Sequence, residues 1–253
     1  MVISIVNQKG GVGKTTTAIN LAAALSLMDK SVLLFDLDSQ GNATTGLGVS
    51  KKSAKITAYE VFIGAENAEN AIIHTEKCGI DLIPANVNLA GIDIELSGAQ
   101  NRSFLLNAAL EKIRNQYDFI IIDSPPSLSG LTINSLVASD YVIIPMQCEF
   151  YSMEGLVQLQ ETIKQVKAKY NPSLEIAGIL FTMNPTFSRS SSAVIKEISE
   201  HFGDFVFKTV VPRNAKLSVA PSFGEPIFTY AKNSKGAKAY SALANELLLR
   251  LEK

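Results

Sequence analysis

The chain has 253 residues, of which 47% are hydrophobic and 19% charged, and its formal net charge at pH 7 is −1. This length predicts a single domain over residues 1–253, and the near-zero charge argues against a protein whose whole surface binds polyanions. The sequence has no apolar run of about 18 residues and no secretory leader pattern, so we expect a cytoplasmic protein.

Six apolar runs predict the strands of a sheet. Because they are continuous runs of Val, Ile and Leu and not alternating patterns, the strands should be buried on both faces, in a mostly parallel sheet covered by helices. This is the three-layer arrangement of an α/β domain. In chain order the predicted strands are 2–6, 31–36, 79–84, 118–123, 141–145 and 176–183.

Segments with helical spacing lie between these strands, at 16–28, 104–115, 153–170 and 194–202. The polar stretch 47–76 is weakly patterned and is interpreted as short helices. The last segment, 235–253, carries apolar residues at four-residue spacing, which predicts a helix packed on the sheet.

The stretch NQKGGVGKTTT, residues 7–17, follows the first predicted strand and precedes the first predicted helix. Strand, glycine-rich loop and helix N-terminus together bring backbone N–H groups and a positive dipole end to a phosphate. Lys14 is placed to reach the β- and γ-phosphates, and the Thr15 hydroxyl to ligate Mg²⁺. The pattern GxxxxGK[ST] is complete except that Gln8 stands at the first glycine position.

The segment KGGVGKTT resembles the deviant Walker A motif of the ParA/MinD superfamily of P-loop ATPases, in which an additional lysine marks enzymes that sandwich two nucleotides between two subunits. Lys9 is that lysine. The resemblance implies that Lys9 reaches the nucleotide of a partner subunit, while Lys14 holds the phosphates within its own subunit. It assigns the phosphates to Lys9, Gly10, Gly11, Val12, Gly13, Lys14, Thr15 and Thr16.

Two further segments extend the resemblance. DLDSQGNATTGLG, residues 36–48, is similar to the family's switch I, usually DLDPQGNAT, and implies that Asp38 positions the water for hydrolysis and lies near Mg²⁺. DFIIIDSPP, residues 118–126, is similar to the Walker B strand with its DxPP segment. Asp123 should therefore hold Mg²⁺ through water, and the implied catalytic set is Asp38, Lys9 and Lys14.

The C-terminal part is similar to the ParA and Soj partition ATPases, and the likeness covers nearly the whole chain. It places Met183, Pro212 and Asn214 at the adenine, and Arg213, with the more weakly aligned Arg189, on DNA. Lys216 is a further DNA-binding candidate because it lies in the same basic portion of the chain. Residues 184–253 hold ten Lys/Arg and six Asp/Glu, whereas residues 1–183 hold thirteen and eighteen. An anionic polymer would therefore meet the C-terminal part first.

The resemblance implies a homodimer formed with ATP, non-specific binding to double-stranded DNA, release on hydrolysis, and a ParB-type centromere-binding partner. Such a protein would be associated with the nucleoid, slow in intrinsic hydrolysis, and without stable membrane association or an N-terminal DNA-binding extension. Three alternatives stay open: a MinD-like membrane-recruited ATPase, a NifH-like iron–sulfur protein that uses Cys78 and Cys148, and a scaffold that binds ATP without turnover.

Overall fold

The computed structural model describes residues 1–149, 152–184 and 189–252, and the side chains of residues 152 and 189–193 lie outside that description. The described residues form one seven-stranded sheet with helices on both faces, which confirms the predicted α/β architecture. The strands are β1 Val2–Ile5, β2 Val32–Asp36, β3 Ile73–Thr75, β4 Ile80–Ile83, β5 Phe119–Asp123, β6 Tyr141–Gln147 and β7 Glu175–Thr182.

In the described chain the first eight helices lie in connections between strands, as parallel pairing requires, and the last four follow β7. The helices are α1 Lys14–Ser26, α2 Asn42–Gly46, α3 Ala58–Phe62, α4 Ala68–Ala71, α5 Ile92–Glu95, α6 Leu105–Leu110, α7 Gly130–Ala138, α8 Ser152–Lys169, α9 Arg189–Phe202, α10 Ala215–Val219, α11 Ile227–Ala231 and α12 Lys235–Leu251. Short 3₁₀ helices lie at Val87–Gly91, Arg114–Gln116, Gly203–Phe205 and Ala220–Phe223.

The sheet has the order β3-β4-β2-β5-β1-β6-β7, and every pair is parallel except β3 with β4. Successive residues of a strand point to opposite faces. Leu34 accordingly packs with α1 and α12 on one face, whereas Leu33 and Phe35 pack with α3 and α6 on the other. The sheet is therefore buried on both sides, as its continuous apolar strands predicted.

Two predicted elements differ from the structure. The stretch 47–76 contains the expected short helices α3 and α4 but also the antiparallel edge strand β3, whose three residues are too few for a periodic signal. The helix predicted over 104–115 ends at Leu110 and resumes as the 3₁₀ turn Arg114–Gln116.

The predicted C-terminal helix is α12, and it packs as expected. Leu243 and Leu247 are fully buried on the face of the sheet that carries α1, and the Tyr240 hydroxyl lies 3.2 Å from the Thr17 hydroxyl. The apolar stripe of this helix is thus used inside the subunit.

Candidate nucleotide site

The glycine-rich loop between β1 and α1 has the backbone that its sequence predicts. Gly11 and Gly13 have φ angles of 73° and 90°, a left-handed region that side chains with a Cβ enter at a cost. Gly13 caps α1 directly, so the first N–H groups of a 13-residue helix are turned toward the loop. The loop and the helix N-terminus form a cradle for an anion.

Gln8 explains why the loop tolerates the loss of its first glycine. Its side-chain amide donates to the Gly155 carbonyl at 3.2 Å and to the Gln158 side chain at 3.0 Å, both on α8. A side chain at this position therefore fastens the first turn of the loop to the neighbouring helix.

Lys14 lies inside the cradle. Its side chain is buried, and Nζ donates to the Lys9 carbonyl oxygen at 3.0 Å, across the loop. Burial lowers the pKa of Lys14, and the carboxylates of Asp123 and Asp38 oppose that shift. A buried cation held among carboxylates at the end of a sheet is placed to receive an anionic ligand.

Lys9 has a different environment, although only five positions separate the two lysines. Its side chain is 43% exposed, and Nζ lies 2.5 Å from Oε2 of Glu149, which is itself 53% exposed. Exposed ion pairs of this kind contribute about 0–1 kcal/mol, so the pair is readily exchanged for another anion. Lys14 thus points inward and Lys9 outward from the same loop.

Two acidic strand ends meet beside the loop. The parallel register of β2 and β5 sets Asp36 directly opposite Asp123. Burial raises the pKa of Asp36 to about 6, and the amide and hydroxyl of Thr44, which donate to its Oδ2 at 2.8 and 2.6 Å, limit the rise. Burial, and then the charge of Asp36, raise the pKa of Asp123 well above the usual range.

The carboxylate of Asp123 has no hydrogen-bond partner on either oxygen in the described part of the chain. The Thr15 hydroxyl lies near enough to Asp123 to limit the rise of the Asp123 pKa, but the two groups do not meet hydrogen-bond geometry. An orphaned buried carboxylate calls for a missing cation or water. No group of three or more His, Cys, Asp or Glu side chains forms a metal site within the described ranges, so a metal here would need non-protein ligands as well.

Asp38 is buried at the start of the turn that follows β2. Its Oδ1 accepts from the Gln40 N–H at 2.9 Å, and its own N–H donates to Asp36 Oδ1 at 3.2 Å. These bonds fix the carboxylate on the loop side of the sheet, near Lys14, whose pKa it raises. Its role in orienting a water toward a phosphate stays a prediction.

The far wall of the site contains Met183, whose φ of 51° is unusual for a residue with a side chain. A Cβ added to Gly13 would lie 3.6 Å from the Met183 methyl, so Met183 borders the loop. Gln147, at the end of β6, donates to the Gly11 carbonyl at 2.9 Å and to the Met183 sulfur at 3.2 Å. Gln147 was not among the predicted site residues, although its place near a strand end was a usable signal.

Asn184 was also missed. It forms an isolated parallel bridge with Pro212, and its side-chain oxygen is buried with no hydrogen-bond partner in the described residues. Asn214, two positions beyond Pro212, caps α10 by accepting from the Lys216 N–H at 2.9 Å. Of the predicted adenine residues, Pro212 thus pairs with Asn184, and the roles of Met183, Pro212 and Asn214 at an adenine stay predictions.

The structure describes the side chains of two of the three predicted DNA contacts. Arg213 and Lys216 are exposed, on the turn before α10 and on α10 itself. Arg189 begins α9, and its side chain lies outside the described residues. The structure thus leaves the contribution of Arg189 as a prediction.

The two cysteines lie at opposite edges of the sheet. Cys78 precedes β4, whereas Cys148 follows β6, and these strands run in the same direction. Burial raises the pKa of the Cys148 thiol to about 11 and also raises that of Cys78. Two thiols beside strands this far apart in the sheet do not converge on one cluster within a subunit.

Over the described residues, no helix combines the length and the apolar character needed to cross a bilayer.

The fold and the phosphate loop define a P-loop ATPase, and residues 1–176 match the model of a family described as an AAA domain. Nearly full-length relatives narrow this class. The chain is 47% identical over 251 residues to the chromosome partitioning protein ParA of Caulobacter vibrioides, covering 98% of this chain and 94% of the relative. It is 48% identical over 246 residues to the sporulation initiation inhibitor protein Soj of Bacillus subtilis, covering 97% of each. The chain belongs to the ParA/Soj family of chromosome-partitioning ATPases.

Solved structures agree with this fold. Cobyrinic acid a,c-diamide synthase from Mycobacterium smegmatis, with bound ADP and magnesium, superposes with a TM-score of 0.89 at 35% identity, over 100% of this chain and 95% of that one. A putative plasmid partition protein from Borrelia burgdorferi, bound to AMPPNP, gives 0.83 at 27% identity, over 99% and 98%.

Proposed function

We propose that this chain is an ATP-dependent dimerisation switch that binds double-stranded DNA without sequence preference in its ATP state and releases it on hydrolysis. The observation that carries the proposal is the opposite placement of two lysines in one loop. Lys14 is buried within the subunit, and Lys9 is exposed at the outer turn. Of these two lysines, Lys9 is the one whose exposed ammonium would exchange Glu149 for a nucleotide that another subunit holds.

The nucleotide we propose is ATP with Mg²⁺. The solved relatives hold ADP with magnesium and an ATP analogue, and the residues here fit both groups. The glycine cradle and Lys14 would hold the phosphates, while the Thr15 hydroxyl and Asp123, through water, would hold the metal. Bound there, Mg²⁺ would supply charge neutralisation on the phosphate oxygens. The orphaned oxygens of Asp123 would then gain partners.

The adenine would lie between Met183 and the Pro212–Asn214 turn. The side-chain oxygen of Asn184, which has no partner among the described residues, would accept a hydrogen bond from the exocyclic amino group of adenine, and a guanine does not present an amino group at that position. This acceptor supports ATP over GTP.

Hydrolysis would depend on Asp38, because its carboxylate is fixed beside the phosphate loop and is able to orient a water. A single such group supports slow intrinsic turnover that a partner accelerates. We propose a ParB-type centromere-binding protein as that partner, from the partition proteins among the relatives.

DNA binding would use the exposed cations Arg213 and Lys216, with Arg189 as a further candidate. A few cations on one subunit neutralise too few phosphates for tight binding at physiological salt, and a dimer doubles their number. Dimer formation with ATP would therefore switch DNA affinity, and would place the protein on the nucleoid.

The test is fluorescence anisotropy of a labelled duplex with the purified protein in ATP, in ADP and without nucleotide. We expect binding in ATP alone, with the same affinity for unrelated sequences. Equal binding in all three conditions would refute the switch. Flotation with anionic vesicles in ATP, without DNA binding, would support the MinD-like alternative instead.

A further inference from the structure

A shallow recess between α10 and α11 combines cations with an aromatic ring. Lys216, Tyr230 and Lys232 line it, and none of its described lining residues is acidic. Phe223 stacks on Tyr230, with ring centroids 5.2 Å apart and an interplanar angle of 27°. We call Lys216, Phe223, Tyr230 and Lys232 the aromatic–lysine surface.

The Phe223 ring is held in place and yet open to solvent. It is 58% exposed, although one side rests on Tyr230. A ring that its neighbour already orients loses little conformational entropy when it binds a partner. The arrangement therefore favours a contact made by the ring itself.

The charge around this ring favours a polyanion. Residues 213–238 contain five basic side chains and one acidic side chain, Glu225. Glu225 is bound by Lys77, whose Nζ lies 2.9 Å from its Oε1. The five basic residues are Arg213, Lys216, Lys232, Lys235 and Lys238, and all are exposed.

The segment that carries Phe223 also touches the nucleotide site. Pro221 and Ser222 share a recess with Thr15 and Thr16 at the start of α1. A Cβ added to Gly224 would lie 2.5 Å from the Cα of Gly48, at the end of switch I. A change in either nucleotide-binding segment would thus reach Phe223 through direct packing.

We propose that the aromatic–lysine surface is a DNA contact in which Lys216 and Lys232 bind phosphates and the Phe223 ring makes a non-ionic contact in a groove of the duplex. This inference rests on the proposed function and adds the mode of DNA binding. Apolar side chains are known to insert between base steps, and rings to stack on bases. The ionic part should weaken with salt, whereas the ring contact should not.

The experiment measures anisotropy of a labelled duplex in ATP over a series of salt concentrations. Phe223→Ala should weaken binding about fivefold or more at every salt concentration and leave the salt slope unchanged. Lys232→Gln should instead lower the slope by about two per dimer, one phosphate from each subunit. Phe223→Tyr keeps the ring and should therefore bind DNA within about twofold of the unmodified protein.

Two matched control substitutions lie outside the aromatic–lysine surface. Phe205→Ala removes an exposed phenylalanine of a different element, and Lys167→Gln removes an exposed lysine from α8, whose apolar side packs on the opposite face of the sheet. Both should bind DNA as the unmodified protein does. Phe223 is largely exposed, so Phe223→Ala should fold, and its thermal unfolding midpoint checks this.

The outcomes distinguish a failure of the proposed function from a failure of the aromatic–lysine surface. If the unmodified protein does not bind DNA in ATP, the proposed function fails. If it binds and Phe223→Ala binds equally well, or Phe205→Ala loses as much affinity, the aromatic–lysine surface is refuted alone. Vesicles of phosphatidylglycerol form a second arm. Loss of vesicle binding by Phe223→Ala with unchanged DNA binding would assign the surface to a membrane and overturn the proposal.

Discussion

Replacement of Lys9 by alanine distinguishes the roles of the two lysines in the phosphate loop. The only described partner of the Lys9 side chain is Glu149, and both groups are about half exposed. Loss of this pair should change the stability of the single subunit by at most about 1 kcal/mol. Because Lys14 and the glycine cradle are untouched, Lys9→Ala should still bind ATP.

Dimerisation should respond much more strongly. A hydrogen bond to a charged group contributes about 1.5–3 kcal/mol, and a two-fold symmetric dimer would contain two such contacts from Lys9. Their loss, about 3–6 kcal/mol, should weaken the ATP-bound dimer by about 10²- to 10⁴-fold.

The assay pairs a fluorescent-nucleotide titration with light scattering of the eluted protein. Lys14→Ala is the control that should lose nucleotide binding itself. Our reasoning is wrong if Lys9→Ala and Lys14→Ala behave alike, or if Lys9→Ala forms dimers in ATP as readily as the unmodified protein.

Four further predictions test other parts of the site. Gly10 has open space around its Cα within the subunit, so Gly10→Val should bind ATP yet remain monomeric in light scattering; a dimer would contradict this. Asp38→Ala should slow phosphate release by about 100-fold or more and prolong residence on DNA, and rapid release would remove its assigned role. Gly48 has a φ of 81°, and a Cβ added there would press on the Gly224 carbonyl. Gly48→Ala should therefore bring the DNA affinity in ATP closer to the DNA affinity in ADP, and an unchanged ratio of the two affinities would exclude coupling through this contact. The raised pKa of Asp36, about 6 against 3.8, means that the folded state retains a proton between pH 4 and 6 that the unfolded chain has lost, so stability falls as pH rises through this window. In urea unfolding of the nucleotide-free protein, Asp36→Asn should therefore remove this pH-dependent fall, which amounts to about 3 kcal/mol in total; equal pH profiles would show that Asp36 does not carry the raised pKa.

The phosphate loop and the sheet were predictable because their signals are local. Left-handed turns at Gly11 and Gly13 require glycine, and a buried parallel strand requires a continuous apolar run, so each pattern is contained in a few consecutive residues. The acidic strand ends Asp36 and Asp123 were visible for the same reason. Their direct pairing was not, because it depends on the order of strands in the sheet.

The missed features depend on tertiary contacts. Gln147 and Asn184 gain their roles only because β6 and β7 end beside the phosphate loop, and neither belongs to a recognisable motif. The stack of Phe223 on Tyr230 likewise joins two short elements whose sequence patterns do not indicate a contact. Charge counting identified the C-terminal part as basic but could not locate the ring among its lysines.

The central claim is that the nucleotide decides whether two subunits associate. The most direct measurement is the molar mass of the purified protein by light scattering in ATP, in ADP and without nucleotide. The account predicts twice the subunit mass of 27.3 kDa in ATP and the subunit mass otherwise. One mass in all three conditions, whether single or double, would contradict it.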